Sequence, residues 1–332
     1  MSIFFTDRLP AERARASSSP LGAAVLAALR APSILNTQPW RWELHDGTAD
    51  LIADDGVKLP VIDPDGRLLT VSCGTALHHA LVSLTAAGYT AEAELLPDPA
   101  GSLLARVAVT GTRVPVPADR RLAKAISARR TDRRPFTGTE VPGVALEALR
   151  LAAEANGAHL QVIPDEQVAA FHVIVQHAGD AEMTDPAYRA ELGAWTHRPE
   201  AGRDGVRPAS AVAMVPRRVP VRDFAPGGDG SLEPGEGTDA GTRYAILFTD
   251  TDTRLDWLRA GEALSAVLLT ATAEGLGVSP MSDVTELPAV RQALRGLLSG
   301  IGWPVLALRF GVPGRAGNVP RSPRREPGGE QS

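Results

Sequence analysis

Apolar positions in this chain gather into long stretches with helical spacing, separated by runs of six to eight residues that alternate or stay apolar throughout. Helical periodicity is clearest in "LGAAVLAAL" (21–29), "ADRRLAKAISARR" (118–130), "GVALEALRLAAEANG" (143–157), "DEQVAAFHVIVQHAG" (165–179) and "PAVRQALRGLL" (288–298). Strand-like runs are "AEAELL" (91–96), "LLARVAVT" (103–110), "AHLQVI" (158–163) and "PVLALRFG" (304–311). In "APSILNTQPWRWEL" (31–44) a polar turn leads into a strand on which Trp40 and Trp42 share one face and anchor the turn to the core.

Two of the long apolar stretches are copies of each other. Aligned without gaps, "DPDGRLLTVSCGTALHHALVSLTAAG" (63–88) and "DTDTRLDWLRAGEALSAVLLTATAEG" (250–275) share eleven of 26 positions. The shared positions include Asp63/Asp250, Arg67/Arg254, Gly74/Gly261 and Gly88/Gly275. Each copy predicts a long helix with small residues on one face, where another helix can approach, and a glycine at its C-terminal cap. The chain then divides into a smaller half at about 20–112 and a larger one at about 119–313, joined by the Pro-rich "TGTRVPVPAD". The larger half carries an insertion at about 180–242, whose Gly-rich, acidic end suggests a mobile loop, and a basic tail follows at 314–332. Two related halves in one chain imply a built-in dimer with a cleft along its seam.

Composition narrows the class without naming a chemistry. At 332 residues with 44% apolar and 22% charged side chains, the chain has material for about two domains with sizeable cores. A net charge of −5 argues against non-specific nucleic-acid binding. No apolar run approaches a membrane span, and the charged N-terminus is a poor signal peptide. The single Cys73 excludes an internal disulfide and, with the rest, fits a cytoplasmic protein.

Candidate chemistry concentrates in arginines. In "SARRTDRRPF" (127–136), Arg129, Thr131 and Arg133 can surround one anion, since guanidinium forks present paired donors; the same stretch also reads as a solvated helix end. "VPRSPRREP" (319–327) is a second basic cluster, either loose charge or a segment that folds back over a phosphate. "GLGVSPMSD" (275–283) lacks both the dinucleotide and the P-loop patterns and reads as a helix cap leading into exposed backbone. The seven histidines show no metal-ligand spacing, Cys73 reads as a small core residue, and no nucleophile elbow or acid–base carboxylate pair stands out. An anion cradle without a nucleophile or metal points to chemistry supplied by a cofactor.

These stretches together resemble one known family. "APSILNTQPWRWEL" resembles the Ala-Pro-Ser-x-x-Asn-x-Gln-Pro-Trp-Arg-Phe segment of the FMN-dependent nitroreductase superfamily, and "RRTDRRPF" resembles its Arg-x-Ser/Thr-x-Arg/Lys phosphate motif. "TAEGLGVSPMSD" is similar to its segment beside the flavin ring, and "SPRREP" to its C-terminal arginine. Because the first motif lies in the first half and the second in the other, the chain resembles the Acg-type actinobacterial branch, in which two nitroreductase-like halves are fused. The resemblance implies an α+β nitroreductase fold, duplicated as a pseudo-dimer in one chain, with one FMN. It assigns Pro32, Ser33, Asn36 and Gln38 to the flavin from the first half. Arg129, Thr131 and Arg133 would take its phosphate and polar tail, Pro280, Met281 and Ser282 its edge, and Arg324, with Arg325 or Arg321, the closing contact.

The same resemblance makes the insertion a lid, through "RPEAGRDGVRPASAVAMVP" and "VRDFAP", with Arg207 facing either flavin or solvent. Two activities then compete. One is an oxidoreductase that takes electrons from NADPH or NADH and passes them to a nitroaromatic, a quinone or a similar small acceptor. The other is an FMN-sequestering protein with little turnover. No membrane or nucleic-acid partner is implied, and fusion makes a monomer sufficient, without forbidding a higher oligomer.

Overall fold

The computed structural model describes residues 19–196, 198, 202–213, 215–224, 230–315 and 319–325. The N-terminal segment read above as a poor signal peptide lies outside them up to residue 18, as do parts of the insertion and the end of the basic tail.

The first half begins with helix α1 (Pro20–Ala28) and the strands β1 (Trp40–Leu44) and β2 (Thr48–Ala53). Helix α2 (Arg67–Ala86), β3 (Tyr89–Leu95) and β4 (Leu103–Thr112) complete it. The second half contains α3 (Pro117–Ala128), α4 (Gly143–Glu154), β5 (His159–Val162), α5 (Val168–Thr184) and α6 (Pro186–Thr196). It continues with β6 (Arg243–Thr249), α7 (Arg254–Ala273), β7 (Gly277–Met281), α8 (Asp283–Glu286), α9 (Pro288–Leu297) and β8 (Trp303–Gly311). Each half forms a four-stranded antiparallel sheet, in order β1-β2-β4-β3 and β5-β6-β8-β7. The orders are the same by position, and in each the repeated helix lies between the second and third strands. The duplication seen in the sequence is therefore a duplication of architecture.

Local chemistry explains the elements. Trp40, Trp42 and Leu44 alternate inward along β1 and pack with α1 and α2 in the first core. In β8 every residue from Pro304 onward is buried, as expected of a central strand covered on both faces. The sequence reading did not pick out β6, whose "YAILF" is uniformly apolar and carries no alternation, or β2. It also took 275–283 for a cap followed by exposed backbone. Gly275 does close α7 with φ 76°, but 277–281 is strand β7, paired with β8 and largely buried. A proline-containing five-residue strand at a sheet edge gives little sequence signal.

The two repeated helices pack on each other, and their matched glycines set the distance. A Cβ added at Gly74 would lie 2.1 Å from the Leu258 carbonyl oxygen, and one at Gly261 would lie 2.1 Å from that of Val71. The Cα of each glycine stands within 3 Å of the Cβ position of the other, so backbone meets backbone. The matched arginines are also reciprocal. Arg67 donates to the carbonyls of Thr285 (2.5 Å) and Val305 (3.0 Å) in the second half. Arg254 donates to Pro99 (2.9 Å) and Gly101 (2.7 Å) in the first. Asp63 caps α2 by accepting from the amides of Leu68 and Leu69. Near the crossing, Nδ1 of both His78 and His79 meets the Ser265 hydroxyl, and burial pushes both imidazoles below their usual range, so they are neutral packing residues.

Helix α2 corrects the expectation about membrane spans, since it is long and apolar enough to cross a bilayer by length and composition. In the fold, 83% of that stretch is buried inside the protein, the pattern of a core helix.

Gly74→Ala and Gly261→Ala each push a methyl into backbone, so each should lower unfolding free energy in urea by about 1–3 kcal/mol or more. Gly179→Ala, on α5 with open space around it, should instead be neutral or stabilising by up to about 1 kcal/mol. A second expectation concerns Glu262, beside the crossing. Burial raises its carboxyl from the usual 4.5 to about 7, so the folded state holds an extra proton between those values. Its contribution is fully present below pH 4.5 and is lost as pH rises toward 7. Glu262→Gln should remove that slope and stabilise the protein at pH 8 by about 1–3 kcal/mol, read from urea melts at several pH values.

Candidate functional site

A cleft opens where the two halves meet, with residues of α2, α7 and β8 forming an apolar floor of Leu68, Val71, Leu264 and Leu306. One wall is the loop 31–38. It is held down by α2, as Thr75 donates to the Pro32 carbonyl (2.6 Å) and Ser72 accepts from the Ile34 amide (3.0 Å). Ser33 Oγ accepts from the Gln38 amide (2.9 Å), closing the turn on itself. Leu35, Asn36 and Gln38 all have positive φ (42°, 57° and 52°), unusual for non-glycine residues. Each costs on the order of 1–2 kcal/mol, which the surrounding contacts must offset. Strain of this kind gathers at ligand sites.

The opposite wall is the segment after α3. Arg129, Thr131 and Arg133 face the cleft in strict alternation, while Asp132 and Arg134 turn away and pair with each other (2.8 Å). The Asp132 amide donates to the Val278 carbonyl (3.0 Å), which docks the segment on β7. Fully buried Arg309 reinforces it by donating to the carbonyls of Asp132 and Arg134 (2.8 Å each) and pairing with Asp239 (3.0 Å). Pro280 and Ser282 line the cleft beside β7.

The insertion and the tail cover the opening. Gly205, Arg207, Ser210, Arg222 and Phe224 line the cleft from the insertion, and Ser322, Pro323 and Arg324 from the tail. Asn36 ties both to the loop: its Nδ2 donates to the carbonyls of Gly205 and Pro323 (3.1 Å each), and its Oδ1 accepts from Arg324 (2.8 Å). Gln38 repeats the pattern, donating to the Arg203 carbonyl and accepting from the Arg325 amide (2.9 Å each). The insertion also rests on the first half, because Tyr188, Leu192 and Trp195 of α6 share a core with Leu35, Val57, Leu59 and Ile62. Its innermost anchor is Arg222, buried and bonded to Glu182 (2.7 Å), Tyr188 (2.8 Å) and Glu286 (2.6 Å). The Tyr188 hydroxyl lies between Glu182 and Glu286 and can donate its one proton to either. Burial raises the Glu182 carboxyl to about 7.

Of the eleven site residues named from sequence, nine line this one cleft: Pro32, Ser33, Asn36, Arg129, Thr131, Arg133, Pro280, Ser282 and Arg324. Gln38 and Met281 are not among the lining residues. The Gln38 amide is taken up by the lid and tail contacts just described, and the Met281 side chain turns into the second-half core, as strand alternation with Pro280 and Ser282 requires. Arg207 also lines the cleft, with its guanidinium donating to the Gly202 carbonyl (2.9 Å). Arg222 and Phe224 were missed as individuals. Both lie in the quoted "VRDFAP", and Phe224 carries the Arg133 guanidinium over its ring at 4.1 Å.

Among the described residues, five arginines and no carboxylate line the cleft. Arg222 is neutralised from behind by Glu182 and Glu286. Arg129 has no ion pair among the described residues: it is buried, and its Nε and Nη1 have no hydrogen-bond partner there. Burial pulls Arg129 and Arg133 down to about 10 and Arg324 to about 9, the last also through the charges of Arg129, Arg130 and Arg30. A buried guanidinium with orphaned donors is costly unless an anion joins it. Beside it are an apolar floor and neutral hydrogen-bonding groups. The cleft suits a ligand with an anionic end and a flat apolar body. Among the described residues no group of His, Cys, Asp and Glu could hold a metal ion.

Comparison with known proteins points the same way. No protein-family model matches the chain. It is 40% identical over 314 residues to the Mycobacterium tuberculosis protein named "Putative NAD(P)H nitroreductase Rv3131", covering 90% of this chain and 87% of that one. It is 34% identical over 307 residues to "Putative NAD(P)H nitroreductase acg" of the same organism, covering 91% and 92%. Likeness to solved structures is looser. The FMN-dependent nitroreductase NfnB of Mycobacterium smegmatis, in complex with NADPH, aligns at 14% identity with a TM-score of 0.38, over 61% of this chain and 95% of that one. With relatives matched along nearly their whole length, the chain belongs to the nitroreductase superfamily, in the Acg branch with two fused halves.

Proposed function

We propose that the cleft binds FMN and that the protein is an NAD(P)H-dependent oxidoreductase acting on a small acceptor of the nitroaromatic or quinone type. The observation that carries this reading is the buried Arg129 with its unpartnered donors beside an apolar floor. Bound FMN would supply a two-electron carrier, reduced by NADPH or NADH and reoxidised by the acceptor. Arg129 and Arg324 would hold its phosphate, and Arg133 and Thr131 its polar tail. Ser33 and Asn36 would offer polar contacts from one wall, Pro280 and Ser282 would border the other edge, and Leu68, Val71 and Leu264 would carry the ring. The names of the mycobacterial relatives support the NAD(P)H-dependent activity. Both walls of the seam come from one polypeptide, so a monomer suffices to build the site.

The lid supports a second reading, flavin sequestration. Its inner anchor is the buried Arg222 network and its outer face is packed on the first half, so opening it breaks both. A lid held in this way slows exchange of ligand and entry of a nicotinamide.

Anaerobic addition of NADPH, then NADH, to the flavin-loaded protein separates the two readings. Rapid bleaching of the visible flavin band supports the oxidoreductase; a band removed only by dithionite supports sequestration. A protein that takes up no FMN would falsify both. Arg129→Ala should weaken FMN binding about 10- to 100-fold, the worth of a charged hydrogen bond or two, as read by quenching of flavin fluorescence. The flavin-free variant should be at least as stable as the parent, since it loses an unpaired buried charge. Arg222→Met leaves Glu182 and Glu286 facing each other unpaired. It should cost about 3–5 kcal/mol of stability in urea and speed release of bound flavin, measured by stopped-flow fluorescence against excess apoflavodoxin.

A further inference from the structure

A second hollow lies on the far side of Arg129 and Arg324, between α1 and α3. It shares Arg129, Ser322 and Arg324 with the cleft, so the two spaces adjoin through those side chains. Arg30, Arg130 and Arg321 line it as well, and among the described residues no Asp or Glu does. None of these three forms an ion pair among the described residues. Arg130 donates only to backbone carbonyls at 127–129. Its basicity is lowered by burial and then by the charges of Arg321 and Arg30, the signature of cations facing one another. The remaining lining is largely apolar, including Leu26 of α1 and Ile126 of α3.

The charges do not balance with one flavin phosphate. A phosphate monoester carries a charge of about −2 at most, which two guanidiniums match. Arg129 and Arg324 provide those two. Three further arginines then face the same point in a chain whose net charge is −5. Like charges held together without counter-charge lower stability, and a second anion between them would reverse the sign of the interaction. Arg129, buried with donors unspent, stands on the wall shared by both spaces and can serve either.

We propose that this hollow is a second phosphate site, in which Arg30, Arg130 and Arg321 bind a phosphoryl group next to the one held by Arg129 and Arg324. Its ligand is a phosphate-bearing nucleotide, whose apolar part meets Leu26 and Ile126. The phosphate belongs either to a dinucleotide flavin, continuing out of the cleft past Arg129, or to a separate nucleotide bound alongside FMN. The proposal rests on the flavin reading of the cleft for its count of phosphates, but the site itself can be tested without flavin.

The test is titration of the full chain, compared with the Arg30→Ala/Arg130→Ala double variant; Arg30 is exposed and Arg130 bonds only carbonyls of its own turn, so folding should be retained. Inorganic pyrophosphate is added to FMN-loaded protein in a calorimeter, and FMN and FAD are titrated separately into flavin-free protein by fluorescence quenching. One-to-one pyrophosphate binding to the FMN-loaded chain, weakened at least tenfold in the variant while FMN affinity shifts less than threefold, supports a separate nucleotide. FAD binding weakened at least tenfold in the variant, again with FMN little changed and no pyrophosphate uptake, supports a dinucleotide flavin. Absence of both effects, or an equal loss for FMN and FAD, overturns the second site. If no flavin binds, the functional reading fails on its own. Pyrophosphate binding to the flavin-free chain, present in the parent and lost in the variant, then still decides for or against the hollow.

Discussion

The backbone contact between α2 and α7 is the constraint on which the rest depends. Two helices that touch at Gly74 and Gly261 cannot be moved apart without opening a void, or closer without overlap. That contact fixes the separation of the two halves and hence the width of the cleft, whose floor is drawn from the same helices. Arg67 and Arg254 add direction to it, because each crosses to carbonyls in the opposite half. The relation is the isologous one of a symmetric dimer, in which a feature on one subunit meets its own copy on the other. Here a peptide link joins the subunits, and the copies have been free to diverge.

Divergence accounts for the asymmetry of the site. The first half supplies the strained loop 31–38, and the second supplies the alternating Arg129, Thr131 and Arg133. The second half alone acquired the insertion that covers the opening. Asn36 and Gln38 connect these parts. Side chains that would suit a ligand are used to hold the insertion and the tail against the loop. The positive φ at Leu35, Asn36 and Gln38 brings those amides to the places where the two covering segments pass.

Much of this was readable from residues and some was not, for physical reasons. The repeat, its helices and its glycine caps were visible because identical side chains at matched positions leave a signal that does not depend on tertiary contacts. The arginine alternation was visible because extended backbone turns every second side chain the same way. Strand β6 was hidden by its burial on both faces, which erases the two-residue period. β7 was hidden by its proline and its brevity. The partners of the Gln38 amide come from chain segments more than 160 residues away, which no local pattern encodes. Arg222 was missed for the same reason: its partners Glu182, Tyr188 and Glu286 come together only when the insertion folds back.

The tail contact also has a bearing on how the molecule is made. The hydrogen bond between Arg324 and Asn36 spans 288 residues. Contacts of such sequence separation form late, because the intervening chain must be ordered first. During synthesis the loop 31–38 is made long before the segment that fastens it. The cleft is therefore completed only once the tail segment has folded back on the loop, which makes closure of the site a late step of folding and not a property of either half alone.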